Sequence, residues 1–224
     1  FEIGSKAVVA DGAGEINIAV FRTEFEDLQV SIFDGVLGFN VGNAAEAVSQ
    51  GVELDSRWLV MPGLMLSASL AYLDFEFTDF PNGQCVQGQA PTTPGTIACD
   101  YEGKTNQYVA DWSGNLGADY TLGLTDALDL RTSLDLTFTS DYNPSQNLDE
   151  RVQQAGYGKI NARVALVGNG DQWELALVGK NLTDKETVAY ANDAPLAYNF
   201  FRTVTHYGIV DEPRTVAVQG TYRF

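Results

Sequence analysis

The sequence predicts an all-β chain, an antiparallel up-and-down meander of about nine strands with one apolar and one polar face. Three observations predict it. Apolar and polar residues alternate with period two through run after run. The connections between the runs are short and long by turns. The last segment, Arg214-Thr-Val-Ala-Val-Gln-Gly-Thr-Tyr-Arg-Phe224, is itself such a run and ends on an aromatic residue. Val216, Val218, Gly220, Tyr222 and Phe224 share one parity, and Thr215, Ala217, Gln219, Thr221 and Arg223 share the other.

Residues 1–10 form the first run and lead to the turn Asp11-Gly-Ala-Gly14. A second run extends from Glu15 to about Phe33, followed by a loop through about Ala47. A third, about 48–60, ends at Met61-Pro-Gly63, where Pro and Gly suit adjacent turn positions. Residues 64–79 follow, then the longest predicted loop, about 80–110. Next come about 113–123, the turn Thr125-Asp-Ala127, about 128–142 and a loop to about Ala155. Residues 157–167 lead to the turn Gly168-Asn-Gly-Asp171, residues 172–189 lead to a loop over about 190–213, and the terminal run closes the chain. Parity slips at Val20/Phe21 and Tyr72/Leu73 suggest a bulge or a strand leaving the common wall.

In a meander, odd connections lie at one end and even ones at the other, so this pattern trims one end and elaborates the other. Outer-membrane barrels sort their connections in this way, with short periplasmic turns and longer outer loops. A soluble β-sandwich has no reason to do so. Arg131, Asp135, Arg163 and Glu174 fall opposite the Leu/Ile/Val parity. A Lys or Arg facing mid-bilayer lipid costs about 2–4 kcal/mol, so in a membrane barrel these residues would face a polar lumen, whereas in a sandwich they would face water; alternation fits both, and the loop pattern and the C-terminus favour the barrel. Phe21, Phe25, Tyr72, Phe75 and Phe77 gather toward the long-loop end, and Trp173 and Phe224 toward the other, as interfacial girdles would.

Composition excludes several classes. The chain has 224 residues with a formal net charge of −17, which argues against a nucleic-acid partner. Hydrophobic residues make up 45% while mean hydropathy is only −0.11, a pairing that alternation produces. No apolar stretch is long enough for a spanning helix. Phe1-Glu-Ile-Gly opens inside a strand pattern, without an initiator Met or a signal-peptide core, so the sequence reads as a C-terminal fragment. Cys85 and Cys99 lie in one polar segment, where a local disulfide in an oxidising compartment is expected and two free thiols are the alternative.

No catalytic constellation is present in the sequence. The single histidine, His206, lacks a nucleophile context, no His/Cys cluster has metal-ligand spacing, and no phosphate-binding loop joins a strand to a helix. Asn181-Leu-Thr183 matches a glycosylation sequon of little specificity. The carboxylate pairs Asp149-Glu150 and Asp211-Glu212 suit solvated loops better than calcium sites. The expectation is therefore a non-enzyme with no cofactor and no metal.

Four segments carry a resemblance to the C-terminal barrel of TonB-dependent outer-membrane receptors. They are Gln50-Gly-Val-Glu-Leu-Asp55, Met61-Pro-Gly-Leu-Met-Leu-Ser-Ala-Ser-Leu-Ala-Tyr-Leu73, Gly179-Lys-Asn-Leu-Thr-Asp-Lys185 and Pro213-Arg-Thr…Tyr-Arg-Phe224. Their order and spacing also match, and the resemblance spans residues 1–224. Gly103-Lys104 and Trp112 are present before the fifth run, without the Pro that the family commonly has there. The resemblance implies the last nine strands of a barrel of about 22 strands around a plugged lumen, with the plug and earlier strands absent and the sheet strongly curved or partly closed. It implies a cell outer membrane location in a Gram-negative bacterium, contact with outer-membrane lipid, and energy supplied by the TonB complex through the plug. The implied cargo is a scarce ligand, most often a ferric siderophore. Loop residues Tyr101, Trp112, Tyr142, Phe200, Phe201, Arg202, His206 and Tyr207 are then candidate ligand contacts, with loop packing or an interfacial role as the alternative for each. Tyr222 and Phe224 would carry the signal read by the barrel assembly machinery. A passive porin-like barrel and a soluble β-sandwich binding module remain as other readings.

Overall fold

The computed structural model describes residues 1–33, 39–168, 170–194 and 197–224. The chain runs β1 (Glu2–Val9), β2 (Gly14–Phe33), β3 (Phe39–Met61), β4 (Leu64–Asp79), β5 (Trp112–Thr125), β6 (Leu128–Thr139), β7 (Tyr157–Gly168), β8 (Trp173–Lys180), β9 (Val188–Asp193), α1 (Ala197–Phe201), β10 (His206–Val210) and β11 (Thr215–Tyr222). Nine strands form one antiparallel sheet in the order β1-β2-β3-β4-β5-β6-β7-β8-β11, and β9 and β10 form a separate hairpin. Among the described residues the sheet does not close, and β1 and β11 are its edges. The all-β meander read from the sequence is the architecture found.

Three boundaries differ from the sequence reading, the first being the run 172–189, of which β8 keeps only Trp173–Lys180 before the chain enters a connection. Residues 39–47, expected in a loop, continue β3 and pair with β2 as far as Phe33↔Phe39. The alternation there is masked by Gly42 and by the small residues Ala44, Ala45 and Ala47. The segment expected as a loop over about 190–213 contains most of the β9–β10 hairpin and α1. It is tied to the sheet through loop contacts rather than as part of the ladder. Neither expected bulge occurs at Val20/Phe21 or Tyr72/Leu73, where register is continuous with β3. The β4–β5 ladder instead ends at Tyr72↔Trp112, so β4 parts from its neighbour where its parity slips. The β2 bulge lies later, between Phe25 and Leu28, where Asp27 has φ 55°.

Register turns the alternation of separate strands into two continuous faces. Directly opposed residues share a face. One row reads Ala7, Ile16, Ser56, Ala68, Leu116, Leu136, Ile160, and another reads Tyr120, Thr132, Val164, Leu177, Val218. Leu134, Leu175, Leu177 and Val218 on this face are between 51% and 73% exposed. A β-sandwich would bury such a face under a second sheet, and among the described residues no sheet covers it.

The opposite face is polar and internally bonded. Asp135 accepts from Asn115 on one side and from Asn161 Nδ2, at 2.9 Å, on the other. Ser69 donates to Asp55 across β3–β4, and Arg163 pairs with Glu174 across β7–β8. Each cross-strand pair satisfies groups that hydrocarbon could not solvate.

Short connections and a second device finish the trimmed end. Gly63 has φ 81° after Pro62, and Gly170 and Asp171 have φ 64° and 71° in the β7–β8 turn. Trp58 lies opposite Gly14 and Trp173 opposite Gly168, each ring lying where a Cβ on the glycine would be. Aromatic cover of a cross-strand glycine fixes register and removes exposed backbone. No helix among the described residues is long and apolar enough to cross a membrane, a statement about helices only.

Gly51 on β3 is crowded by backbone as well as by a ring. A Cβ there would lie 2.2 Å from the Tyr72 carbonyl oxygen and 3.0 Å from the Phe21 ring. Gly51→Val in the intact receptor is expected to cost about 1–3 kcal/mol through overpacking, read as a lowered melting temperature. Gly123→Val, whose nearest neighbour would be 3.8 Å away, is expected to leave it within experimental error. Equal melting of both variants would refute this account.

Candidate functional site

The three long connections, residues 80–111, 140–156 and 181–214, lie at one end of the sheet. Two separate packings hold them there. The first is apolar. Phe77 at the end of β4 is buried with Phe80, Cys99 and Tyr101, against Ala45 and Ala47 of β3. Leu28, Val30, Phe75, Cys85 and Leu148 pack around them. The extended β2–β3 hairpin thus backs the 80–111 loop. Cys85 and Cys99 are bonded, with an S–S distance of 2.05 Å, and Gly83 and Cys99 are joined by a backbone bridge. Phe75 and Phe77, expected in an interfacial girdle, belong to this loop core.

The second packing is polar and centres on Gln87. Its backbone N–H donates to Asp193 Oδ2 at 2.9 Å and its side-chain amide to the Ala194 carbonyl at 2.7 Å. Its Oε1 accepts from the Thr205 N–H at 3.1 Å, and its carbonyl lies 3.4 Å from an Arg151 nitrogen. Further links tie 140–156 to its neighbours. Gln107 donates to the Pro144 carbonyl at 2.8 Å, Asn147 to Asp193 Oδ2 at 2.7 Å, and the Val188 N–H to Gln154 at 2.8 Å. The loops therefore form one layer with few separate parts.

Asp149, Asp193 and His206 meet inside that layer. His206 Nε2 lies 2.8 Å from Asp149 Oδ2 and 3.3 Å from Asp193 Oδ1. Arg151 clasps Asp149 through Nε at 2.8 Å and a terminal nitrogen at 2.6 Å, and its own N–H adds a bond at 2.9 Å. Burial pushes the Asp149 carboxyl up, yet the Arg151 side chain, the His206 ring and the Arg151 N–H outweigh it and hold it at about 2. Asp193 moves the other way: burial raises it, the Gln87 N–H offsets only part, and the charge of Asp149 adds to the rise.

Beneath the loops, on the polar face of the sheet, is a cleft of about 270 Å³. Phe21, Tyr108, Tyr142 and Tyr157 line it together with Glu53, Ser113 and Thr139. Tyr108 and Tyr142 have ring centroids 6.1 Å apart with planes tilted by 51°, and their hydroxyls donate to the carbonyls of Ala189 and Val188. Burial, then the bond with Tyr157, pushes the Tyr142 phenol up, so it is a neutral donor at any physiological pH. An aromatic cleft with a few fixed polar groups suits a ligand with flat apolar parts.

The sequence-predicted contacts do not converge on one place. Tyr142 lines the cleft. Tyr101 is 3% exposed, its hydroxyl donating to the Gln84 carbonyl, and it packs the loop core. Trp112 lies on the apolar face against Tyr72, ring centroids 5.0 Å apart, where that face meets the loops. Phe200 and Phe201 protrude from α1, 74% and 78% exposed, beside Arg202, whose guanidinium lies over the Tyr198 ring. His206 is held in the acidic node, and Tyr207 lies against Tyr190 with ring centroids 5.9 Å apart. Tyr222 and Phe224 pack edge to face at the trimmed end. Sequence reasoning assigned Phe21 to an interfacial girdle, whereas it lines the cleft, and it passed over Tyr108, Tyr157 and Gln87. Tyr157 sits within a strand pattern, and nothing in Gln87's own sequence context marks a hub. Of the two carboxylate pairs, Asp149 is buried while Glu150 is exposed, and Asp211 accepts from Lys159 at 2.8 Å and Thr187 at 2.5 Å. Neither pair acts together.

A family model described as TonB dependent receptor-like, beta-barrel matches residues 1–182. Among solved structures, the ferric yersiniabactin uptake receptor FyuA from Yersinia pestis superposes with a TM-score of 0.71 at 16% identity, covering 98% of this chain and 28% of that one. The siderophore receptor PiuA from Acinetobacter baumannii gives 0.70 at 22% identity, covering 98% and 27%. The ferric-catecholate import receptor Fiu from E. coli K12 gives 0.59 at 18% identity, covering 100% and 27%. The chain thus spans little more than a quarter of the length of these proteins, and at such identities the likeness is one of fold.

Two outcomes follow from the loop geometry. Reduction of the Cys85–Cys99 bond is expected to speed hydrogen exchange at the amides of Cys99 and Tyr101, while amides of β5 and β6 keep their protection; uniform loss across the sheet would contradict a local staple. The bonds from Lys159 first, then Thr187, hold the Asp211 carboxyl below its usual value. Its link is therefore complete above the unfolded carboxylate pKa of about 4 and is lost as pH falls through the lower folded value. Exchange at the Asp211 amide, which bonds the Thr187 carbonyl at 2.9 Å, should stay slow down to about pH 4 and rise below it. A rise between pH 7 and 5 would refute the assignment.

Proposed function

The chain belongs to the TonB-dependent receptor β-barrel family, and on that premise we propose that it forms the C-terminal wall and outer loops of an outer-membrane receptor that imports a ferric siderophore. The family is one of transport receptors rather than enzymes, and its barrels are outer-membrane proteins. The observation that carries the finer reading is the aromatic cleft on the polar face, roofed by loops that are bonded to each other. Solved neighbours whose names include ferric yersiniabactin and ferric catecholate support an iron chelate as cargo.

On this reading the bare Leu/Ile/Val face meets outer-membrane lipid and the Asp135 ladder faces the lumen. The exposed Phe200, Phe201 and Arg202 make first contact with an anionic chelate, and Tyr108 and Tyr142 receive it deeper. Energy comes from the TonB complex acting through a plug contributed by another part of the receptor. The edge strand β11, with Tyr222 and Phe224, is the part offered to the assembly machinery.

The test uses the intact receptor. Phe200→Ala/Phe201→Ala/Arg202→Ala and, separately, Tyr142→Ala are each expected to weaken binding of the cognate ferric siderophore by about tenfold or more, with unchanged folding. Uptake of labelled iron should stop when TonB is absent. Uptake that continues without TonB, together with a steady large conductance in planar bilayers, would favour a passive porin-like barrel instead.

A further inference from the structure

We propose that Asp149, Asp193 and His206 form a site for a divalent cation of the zinc type that staples the 140–156 loop to the β9–β10 hairpin. Asp149 Oδ2, Asp193 Oδ1 and His206 Nε2 all lie within 4.8 Å of one another. The Asp149 and Asp193 side chains are 3% and 6% exposed. Asp193 Oδ1 is buried with no hydrogen-bond donor, and it is aimed at the ring nitrogen that Asp149 also faces. A buried carboxylate oxygen without a donor calls for a partner, and a cation is one of the few that fit.

The distances suit a small ion. Ligands about 2.1 Å from a tetrahedral zinc stand about 3.4 Å from each other. The His206–Asp193 separation of 3.3 Å already matches, and the His206–Asp149 separation of 2.8 Å has to open by only a few tenths of an ångström. The surrounding bonds are those that orient metal ligands. Gln87 N–H and Asn147 Nδ2 hold the other oxygen of Asp193, leaving Oδ1 free to point inward. Arg151 holds Asp149 Oδ1 by its Nε and its backbone N–H and also reaches Oδ2 with a terminal nitrogen at 2.6 Å, so a cation would share Oδ2 with that guanidinium through the oxygen's other lone pair. One imidazole nitrogen and two carboxylate oxygens favour zinc or a similar first-row ion over calcium, which takes more ligands, all oxygen. His206 is 23% exposed, which gives an entry path. The site is independent of the siderophore reading and concerns the rigidity of the loops.

The experiment uses the intact receptor in detergent, stripped with a chelator and dialysed against Zn²⁺ without any iron chelate present. The expected result is one more zinc bound per chain than in His206→Gln or Asp193→Asn, each of which should bind at that site about 10–100-fold more weakly. Zinc should also slow hydrogen exchange in wild-type β9 and β10, reversibly on chelation, which keeps the test valid if a variant misfolds. Equal zinc content in wild type and well-folded variants, or zinc binding that leaves β9–β10 exchange unchanged, would overturn the site and leave an ion pair between His206 and the two carboxylates. Because no siderophore enters the measurement, its failure and the failure of the transport reading are separately visible.

Discussion

A sheet with lipid on one side has to meet all its backbone hydrogen bonding sideways, because hydrocarbon offers neither donors nor acceptors. Most of what this chain does in space follows from that requirement. Neighbouring strands must be antiparallel and in steady register, and the β4–β5, β6–β7 and β7–β8 ladders are continuous while β5–β6 shifts only beside its turn, between Gly123 and Thr125. Side chains are then sorted by solvent. Leucine and valine face outward, and the polar side chains that remain bond across strands, as Asp135 does to Asn115 and Asn161. The edges β1 and β11 are the places where the requirement is unmet among the described residues, and on the proposed reading they are where further strands of the receptor would join.

That constraint also explains what was legible in the sequence. Alternation is a direct imprint of two solvents, so the strands from Leu64 to Lys180 and the terminal Thr215–Tyr222 could be read with little error. Loop parity is equally direct, since it follows from chain direction in a meander. The reading failed where β3 passes into the loop layer. Residues 39–47 pair with β2 there, and Ala45 and Ala47 are buried by loop residues, so no alternation of apolar and polar faces marks them. The β9–β10 hairpin is hidden for the same reason. Its residues answer to Gln87, Pro144 and Gln154, partners distant in sequence.

The site was legible only by class. Aromatic and charged loop residues were picked out as a set, but the sequence could not sort exposed Phe200 from buried Tyr101. Burial in the loop layer depends on which loops touch, and that is fixed by tertiary contacts. Three of the cleft's five aromatic residues, Phe21, Tyr72 and Tyr157, come from strands, where an aromatic looks like any other alternating residue. Gly51 leaves room for the tip of the Phe21 ring, and a glycine in a strand carries no mark of the ring it accommodates.

The disulfide and the Gln87 hub bear on how quickly this surface can act. A loop of this length would ordinarily sample many shapes, and a partner would have to wait for the right one or impose it. Here the Cys85–Cys99 bond and the backbone bridge beside it have removed most of those shapes before any encounter, and Gln87 carries the same restriction into the two neighbouring loops. The ordering cost falls on folding, once per molecule, rather than on each capture event. Association at this end of the sheet should then be governed by diffusion and orientation, a useful property for a surface that must collect something dilute.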